Sequence, residues 1–241
     1  MKDLVLIPAR GGSKGIPGKN IKNLNGIPLL YYTLGVACEI AKPANICVST
    51  DADEIISSVN NYGLKVPFRR PAILATDTAG TYEVILHAID FYEKSIGSYF
   101  DRIILLQPTS PFRTSLHVEQ ALGLYQNDLD MVVSVKTTKS NPYFTLFEEN
   151  KKGFLVPSKK GNYTRRQDCP AVYEYNGAIF IMNIKSLKKK PPSQFRHIRK
   201  FLMSAEDSID IDTPLDFIVA QAIIENRKIQ ETKHGKILYS P

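Results

Sequence analysis

The sequence predicts a doubly wound α/β fold with a mostly parallel central sheet. Short apolar runs, which are typical of buried strands, alternate with longer amphipathic segments, which predict helices, over roughly the first 136 residues. Strands that alternate with helices of this length join into a parallel sheet through right-handed crossovers. A chain of 241 residues is long enough for one such domain with a small appendage.

The first predicted strand, Leu4 to Ile7, leads into a glycine-rich loop. Glycine lets backbone N–H groups turn inward and lets a bulky anion approach closely. Arg10, Lys14 and Lys19 bring positive charge to the same place. The loop matches neither the Walker pattern nor the dinucleotide fingerprint. It therefore predicts a phosphate-binding loop of another kind, with a solvated glycine-rich turn as the alternative.

The strands that follow are compact apolar runs. They are predicted over Ile46–Ser49, Lys65–Phe68, Arg102–Leu106, Met131–Val135, Gly177–Met182 and Phe201–Met203.

The helices begin at recognisable start signals. They are predicted from Pro28 to near Ala41, from Asp51-Ala52-Asp53 to near Tyr62, from Thr81 to near Lys94, from Thr114-Ser115 to near Gln126 and from Pro214 to near Arg227. Thr213 as N-cap and Pro214 as first residue favour the last of these starts. Asp51 and Asp53 are interpreted as capping acids at the start of the second helix.

A rigid turn is predicted at the carboxyl end of the strand that begins at Arg102. It reads Gln107-Pro108-Thr109-Ser110-Pro111, and its two prolines restrict the backbone. Ligands of α/β sheets bind at the carboxyl ends of strands. A purely structural turn accounts for the prolines and hydroxyls but not for Gln107, whose amide can donate to and accept from a sugar.

An acidic pair precedes the last helix. In an extended chain Asp210 and Asp212 point to the same side, while Ile209 and Ile211 point into the core. Two carboxylates on one side suit a hard divalent cation, above all Mg²⁺. Helix capping is the alternative, and it explains Asp210 poorly because this residue lies too far before the helix.

The alternation of strands and helices stops between residues 137 and 175. A long irregular insertion in a compact domain is usually a lid or an interaction arm. We therefore expect an α/β domain formed by residues 1–136 and 176–241, with residues 137–175 as an irregular extension.

Composition narrows the classes of function. The net charge of +7 favours anionic partners, but the densest basic clusters, within residues 185–200, lie apart from the glycine loop and carry no nucleic-acid motif. We therefore expect no nucleic-acid partner. No run of apolar residues is long enough for a membrane helix. Three cysteines without metal-type spacing predict a reducing, cytoplasmic location.

Several sequence blocks resemble one enzyme family. The opening Pro-Ala-Arg-Gly-Gly-Ser-Lys-Gly-x-Pro-x-Lys-Asn is similar to that of the sugar-activating cytidylyltransferases, most closely the CMP-sialic acid synthetases (acylneuraminate cytidylyltransferases). Matching blocks follow in order at Arg70-Pro71 with Leu74-Ala75-x-Asp77, at Leu105 to Pro111, at Asn176-Gly177-Ala178-Ile179 and at Asp207 to Asp212. The resemblance covers residues 4 to 220, nearly the whole chain.

The resemblance implies a nucleotidyltransferase that joins CTP to a nine-carbon α-keto acid sugar, releases diphosphate and requires Mg²⁺. The implied catalytic residues are Arg10, Lys14, Lys19, Asp210 and Asp212, of which Asp210 and Asp212 bind the metal. The implied nucleotide contacts are Ala9, Arg10, Gly11, Gly12, Ser13, Asn20, Arg70, Gly80 and Thr81. The implied sugar contacts are Gln107, Arg166, Asn176 and Phe180.

The resemblance also implies a homodimer, in which the extension crosses to the second subunit. It leaves the sugar open, because Glu174 stands where some sialic acid enzymes carry a cation and Phe180 stands where a tyrosine is common. Legionaminate, pseudaminate and the eight-carbon Kdo are alternative substrates. A protein that binds nucleotide without turnover, or one that binds nucleic acid, is the alternative outside the enzyme class.

Overall fold

The computed structural model describes residues 1–13 and 15–234, with side chains up to residue 229. Its strands are β1 (Asp3–Pro8), β2 (Asn23–Leu24), β3 (Ile27–Pro28), β4 (Ile46–Ser49), β5 (Arg102–Leu105), β6 (Met131–Thr137), β7 (Phe147–Glu149), β8 (Leu155–Pro157), β9 (Tyr173–Asn183) and β10 (Ile198–Leu202). Its α-helices are α1 (Leu29–Ile40), α2 (Asp53–Asn61), α3 (Thr81–Phe91), α4 (Ser115–Gly123), α5 (Ile184–Leu187) and α6 (Pro214–His234).

Six strands form one central sheet in the order β10-β6-β9-β5-β1-β4. β1 pairs in parallel with β4 and with β5, and β10 pairs in parallel with β6. β9 runs antiparallel to both of its neighbours, β5 and β6. The predicted doubly wound, mostly parallel sheet is therefore confirmed, with one reversed strand in its middle.

Apolar clusters cover both faces of this sheet. Residues of α1, α2 and α4 pack on one face, and residues of α3 and α5 pack on the other. Because β1 is covered on both sides, its residues Leu4 to Ile7 are all fully buried, and they read as a continuous apolar run. A third cluster joins the start of α1 to Phe112, Ile211 and Phe217 of α6. This cluster anchors the acidic segment beside the sheet.

One predicted strand is wrong. Residues 65–68 form no strand, and the only pairing nearby is a single parallel bridge between Thr50 and Arg69. Pro67 has no backbone N–H to donate to a neighbouring strand, so it cannot take part in a regular ladder. The other predicted strands and helices are present with shifted ends. The largest shifts are in β9, which begins at Tyr173, and in α6, which continues to His234.

The extension lies between the end of β6 and the start of β9. It contains the antiparallel hairpin of β7 and β8 and a short 3-10 turn at Arg166–Asp168. The hairpin keeps large apolar side chains in solvent: Phe154 is 65% and Leu155 70% exposed. The hairpin therefore has little core of its own within this chain.

The buried carboxylate of Asp130 gives a testable prediction about stability. Burial alone would raise the pKa of Asp130. Hydrogen bonds to its carboxylate outweigh this effect and hold the pKa well below its usual range; the donors are the backbone N–H groups of Arg196 and His197, the hydroxyl of Ser186 and the ammonium of Lys190. Asp130→Asn is therefore expected to lower the free energy of unfolding at pH 7 by about 1–3 kcal/mol.

The expected pH dependence has a definite sign. A depressed folded-state pKa stabilises the protein above the unfolded-state pKa, which is about 3.9, and this stabilisation is lost as pH falls further. Urea unfolding of wild type and Asp130→Asn between pH 7 and pH 3 measures it. The difference in free energy of unfolding between wild type and Asp130→Asn should become smaller toward pH 3. A difference that stays constant would contradict a lowered pKa of Asp130.

No helix in residues 1–13 or 15–234 combines the length and the apolar character that crossing a membrane requires.

Candidate active site

A pocket of about 500 Å³ opens at the carboxyl edge of the sheet. The chain leaving β1 forms one wall, the turn after β5 forms another, and the start of α3 and the segment before α6 complete it. Because β9 is antiparallel, its amino half lies at this same edge. The topology thus brings the glycine loop, the Gln107 turn and the acidic pair together, as expected for ligand sites of α/β sheets.

Most predicted site residues meet in this pocket. Those that line it are Arg10, Ser13, Lys19, Asn20, Arg70, Thr81, Gln107, Asp210 and Asp212. Those that do not line it are Ala9, Gly11, Gly12, Gly80, Arg166, Asn176 and Phe180. Lys14 lies outside the described residues.

The glycine loop is held by two side chains at its ends. The Asn20 amide donates to the carbonyl of Arg10 at 3.0 Å, and the Gly11 N–H donates to Asp51 Oδ1 at 3.0 Å. Neither Asp51 nor Asp53 caps α2 by a side-chain hydrogen bond, so that part of the interpretation is wrong, although Asp53 lies in the first turn of α2 as expected. Asp51 supports the loop, and Asp53 forms a two-pronged ion pair with Arg69, at 2.6 and 3.1 Å, at the surface.

Lys19 joins the glycine loop to the acidic segment. Its ammonium donates to the carbonyl of Ile211 at 2.7 Å and to Asp212 Oδ1 at 2.8 Å. Gly15 lies directly against the carbonyl of Asp212, where a Cβ would collide with it. The two segments that carry the predicted catalytic charges are therefore in contact, although almost 200 residues separate them.

Asp210 has the features of an unsatisfied ligand. Its Oδ1 is buried and has no hydrogen-bond partner among the residues that the structure describes. Burial raises the pKa of Asp210 and the neighbouring Asp212 adds to the rise, while Thr109 and Lys19 act in the opposite direction. A carboxylate in this state is stabilised by an incoming cation.

A protein-only metal cage is absent from the described part of the chain. No three His, Cys, Asp or Glu residues there are grouped to hold a metal ion. Two carboxylates that line an open pocket fit Mg²⁺ in a different way, since this ion is usually bound by one or two carboxylates together with substrate phosphates. Hard oxygen donors and the unpartnered Asp210 Oδ1 agree with that mode.

Arg10 reaches across the mouth of the pocket to the loop before α3. Its guanidinium donates to the carbonyl of Thr76 at 3.0 Å and pairs with Asp77 at 2.9 Å. Both partners line the pocket. An anionic ligand that enters here competes with Asp77 for the Arg10 side chain.

Arg70 is a buried cation in the pocket wall. Its Nε donates to Ser49 Oγ at 2.9 Å and its Nη2 donates to the Ser49 carbonyl at 2.6 Å. Burial lowers the pKa of Arg70, the nearby Arg10 adds to this, and Asp51 opposes it. The choice of Arg70 over Arg69 as the pocket arginine agrees with this placement, because Arg69 is paired at the surface.

Gln107, Asp210 and Ser110 converge on Gly177. A Cβ on Gly177 would lie 3.5 Å from Asp210 Oδ2 and 3.7 Å from both Gln107 Oε1 and Ser110 Oγ. Gly177 also has a positive φ of 75°, which L side chains rarely adopt. These distances are ordinary van der Waals contacts, so the positive φ and not a lack of space favours glycine at this position.

Three predicted sugar contacts have other surroundings in this chain. Asn176 is buried, and its amide bonds Ser134, Ser208, Met203 and the Ala178 N–H. Phe180 is half-buried and packs edge-on against Tyr175. Arg166 is exposed in the extension. For these residues a sugar contact stays a prediction.

Sequence reasoning missed several residues that build the site. Asp51, Arg113 and Gly177 support or shape it, and Thr109 and Asp77 line it. Asp77, Thr109 and Gly177 carried a local signal, because they fall inside the matching blocks. Asp51 and Arg113 act on segments that are distant in sequence, which no local pattern reveals.

The arrangement brings charges of both signs into one pocket. The lining includes three basic and three acidic side chains, which are Arg10, Lys19, Arg70, Asp77, Asp210 and Asp212. The basic groups suit the phosphates of a nucleotide, and the acidic pair suits a bridging cation. Gln107 faces the same space with an amide that can read hydroxyl groups. Such a site can hold a nucleoside triphosphate beside a polar acceptor.

Comparison with known proteins agrees with this chemistry. The model of the family described as Cytidylyltransferase matches residues 4–239. The flagellin modification protein B of Campylobacter coli, described as post-translational, is 33% identical over 228 residues, which is 94% of this chain and 97% of the relative. The CMP-N,N'-diacetyllegionaminic acid synthase of Legionella pneumophila is 31% identical and covers 93% of this chain and 97% of its own length.

A longer relative is the N-acylneuraminate cytidylyltransferase of Streptococcus agalactiae serotype V. It is 35% identical over 99% of this chain, which spans 57% of that relative. Among solved structures, a CMP:2-keto-3-deoxy-manno-octonic acid synthetase complexed with CTP shares the fold, with a TM-score of 0.69, 20% identity and coverage of 94% of this chain and all of that one. The expected resemblance to the CMP-sialic acid synthetases is confirmed: the chain belongs to the cytidylyltransferase family and is a nucleotidyltransferase.

Proposed function

We propose that this protein transfers the cytidylyl group of CTP to a nonulosonic acid, N-acylneuraminate in the first instance, and releases diphosphate. The observation that carries the proposal is the meeting of three features in one pocket. The basic glycine loop, the acidic pair and Gln107 come from three distant parts of the chain and line the same cavity. The named relatives act on acidic sugars of this class.

The chemistry follows from the positions of these groups. The anomeric hydroxyl oxygen of the sugar attacks the α-phosphorus of CTP, a P–O bond forms, and the bond from the α-phosphorus to the bridging oxygen of the diphosphate breaks. The hydroxyl proton passes to solvent. Negative charge grows on the phosphate oxygens and on the leaving diphosphate, so Arg10, Lys19 and Arg70 stabilise the transition state by neutralising it.

Asp210 and Asp212 are the residues that would hold Mg²⁺. When bound, the ion supplies positive charge to the phosphates and lowers the pKa of an oxygen nucleophile. Lys19 holds Asp212 in place through its 2.8 Å ion pair. The chain thereby keeps one carboxylate fixed and leaves Asp210 Oδ1 available.

Substrate choice is the finer part of the proposal. Legionaminate, pseudaminate and Kdo are the alternatives, and relatives named for the first two cover most of this chain. Glu174, at the position that bears a cation in some sialic acid enzymes, is exposed and lies 3.6 Å from Lys136.

The experiment is a comparison of kcat/KM for a panel of acidic sugars with CTP, with the CMP-sugar product identified by mass. N-acylneuraminate is expected to give the highest value. A higher value for another nine-carbon acid would move the assignment to that sugar. Formation of no CMP-sugar from any member of the panel would refute the proposal.

We also propose that the extension forms the contact of a homodimer. It carries exposed apolar side chains on β7 and β8, and Phe154 and Leu155 are its most exposed members. Exposed apolar groups gathered on one hairpin are typical of interaction surfaces. In this arrangement the exposed Arg166 serves the sugar site of the second subunit.

Sedimentation at micromolar concentration tests the dimer. The wild type is expected to sediment as a dimer, and Leu155→Asp as a folded monomer of low activity, because a charge placed in an apolar contact is costly. Ile96→Asp is a matched control, since Ile96 is also exposed. It belongs to the segment that leads into the amino end of β5, whereas the extension leaves the carboxyl end of β6. A monomeric wild type, or equal effects of both substitutions, would contradict the proposal.

A further inference from the structure

A buried arginine lies beneath the pocket and has no acidic partner among the residues that the structure describes. Arg113 is 3% exposed and directly precedes Thr114, the N-cap of α4. Buried charges are normally paired with an opposite charge. Within the described residues, the acceptors of the Arg113 guanidinium are two backbone carbonyls and one hydroxyl, and its Nε has no partner.

These acceptors belong to the walls of the pocket. Arg113 Nη1 donates to the carbonyl of Gln107 at 3.2 Å and to the carbonyl of Ala178 at 2.8 Å. Nη2 donates to Thr33 Oγ1 of α1 at 2.7 Å. Arg113 Nη1 therefore links the backbone of Gln107, whose side chain faces the proposed sugar, to the backbone of Ala178, which follows Gly177.

The geometry of the pocket depends on this link. Gln107 Oε1 and Asp210 Oδ2 both lie within 3.7 Å of the position that a Cβ on Gly177 would occupy. If the Gln107 turn and the amino half of β9 moved apart, the amide of Gln107 would change its position relative to Asp210. Displacements of this kind are costly in a site that works by positioning.

The cost of burying the charge indicates that the link is specific. Burial lowers the pKa of Arg113 to about 9, which still leaves the guanidinium protonated at neutral pH. An apolar side chain of similar volume would avoid the desolvation cost of a buried ion. It could not, however, donate to two backbone carbonyls at once.

We propose that Arg113 is a positioning residue for the sugar half of the site, acting through the backbone of Gln107 and Ala178. The inference rests on the proposed function for its kinetic consequence. It concerns the acceptor sugar and not the nucleotide, because the glycine loop has no hydrogen bond to Arg113 in the described residues.

The kinetic test uses Arg113→Met and Arg113→Lys with CTP and the best acidic sugar. Arg113→Met is expected to raise the KM for the sugar by about 10- to 100-fold, with the KM for CTP unchanged. Arg113→Lys retains the charge without the planar fork and should give an intermediate KM.

Two variants control for stability and for loss of an arginine. Thr33→Val removes the acceptor of Nη2 and also the long 3.5 Å hydrogen bond that the Thr33 hydroxyl donates to the Gln107 carbonyl. It leaves the link that Arg113 makes between Gln107 and Ala178, so it should lower the melting temperature while the sugar KM rises far less than in Arg113→Met. Arg199→Met removes an exposed arginine that also donates to a backbone carbonyl, that of Leu124. This variant should change neither the melting temperature nor the KM for the sugar. A rise in sugar KM in Thr33→Val as large as in Arg113→Met would overturn the proposal.

Hydrogen exchange tests the link without any substrate. In Arg113→Met, amides within residues 107–110 and 177–179 should exchange faster than in wild type, while those of β1 should not. If the wild type uses none of the sugars in the panel, the proposed function is refuted. Hydrogen exchange alone then tests whether Arg113 holds the two segments together. Unchanged exchange in both segments would overturn the positioning role.

Discussion

Asp210→Asn is expected to lower turnover by roughly 100-fold or more at low Mg²⁺ concentration. The change keeps the size and hydrogen-bonding reach of the side chain but removes its charge. Asp210 Oδ1 has no partner in the described residues, and burial raises the pKa of this carboxyl, so its charged form is stabilised by a cation that binds there. Raising the Mg²⁺ concentration should restore part of the activity, since a site with less charge fills at higher metal concentration.

Diphosphate release measured against Mg²⁺ concentration checks this result. Asp212→Asn should show the same displacement toward higher Mg²⁺. Asp90→Asn is the control, because Asp90 is an exposed acid of α3 that pairs with Lys94 far from the pocket. Identical metal dependence of wild type and Asp210→Asn, with undiminished kcat, would show that Asp210 is not a metal ligand.

Lys19→Ala is expected to impair both catalysis and stability. Loss of a cation beside the phosphates should cost roughly 2–4 kcal/mol of transition-state stabilisation. The same change removes the donor of the Ile211 carbonyl and the ion-pair partner of Asp212. We therefore also expect the free energy of unfolding to fall by about 1–3 kcal/mol.

Lys22→Ala is the matched control for Lys19. Lys22 belongs to the same segment, but it is exposed, lies over the ring of Phe217 and does not line the pocket. Kinetics with CTP and urea unfolding of both variants separate the two effects. Wild-type kcat/KM in Lys19→Ala would remove Lys19 from the site.

Much of the fold could be predicted from local patterns. The apolar runs of β1, β4 and β5 and the start signals of α3, α4 and α6 led to the correct elements. The false strand over 65–68 arose because a short apolar stretch before Arg69 resembles a strand, while Pro67 prevents a ladder. The hairpin of β7 and β8 was not predicted, because its exposed apolar residues do not show the alternation of a half-buried sheet.

Site residues could be predicted from the sequence only where the chemistry of the side chain itself indicates a function. Lys19, Gln107 and Asp210 line the pocket as expected, since their chemistry is visible in the sequence. Arg113 was missed because its importance depends on which distant segments meet. The Asn176 amide forms hydrogen bonds with residues of β6 and of the segment before α6, and its predicted contact with the sugar stays a prediction.

The most direct test of the proposed reaction is ³¹P NMR of the protein with CTP, Mg²⁺ and an acidic sugar. CTP should disappear only when the sugar is present. One phosphodiester signal of the CMP-sugar and one equivalent of diphosphate should appear together. Consumption of CTP without sugar, release of monophosphate in place of diphosphate, or binding of CTP with no turnover for any acidic sugar would contradict it.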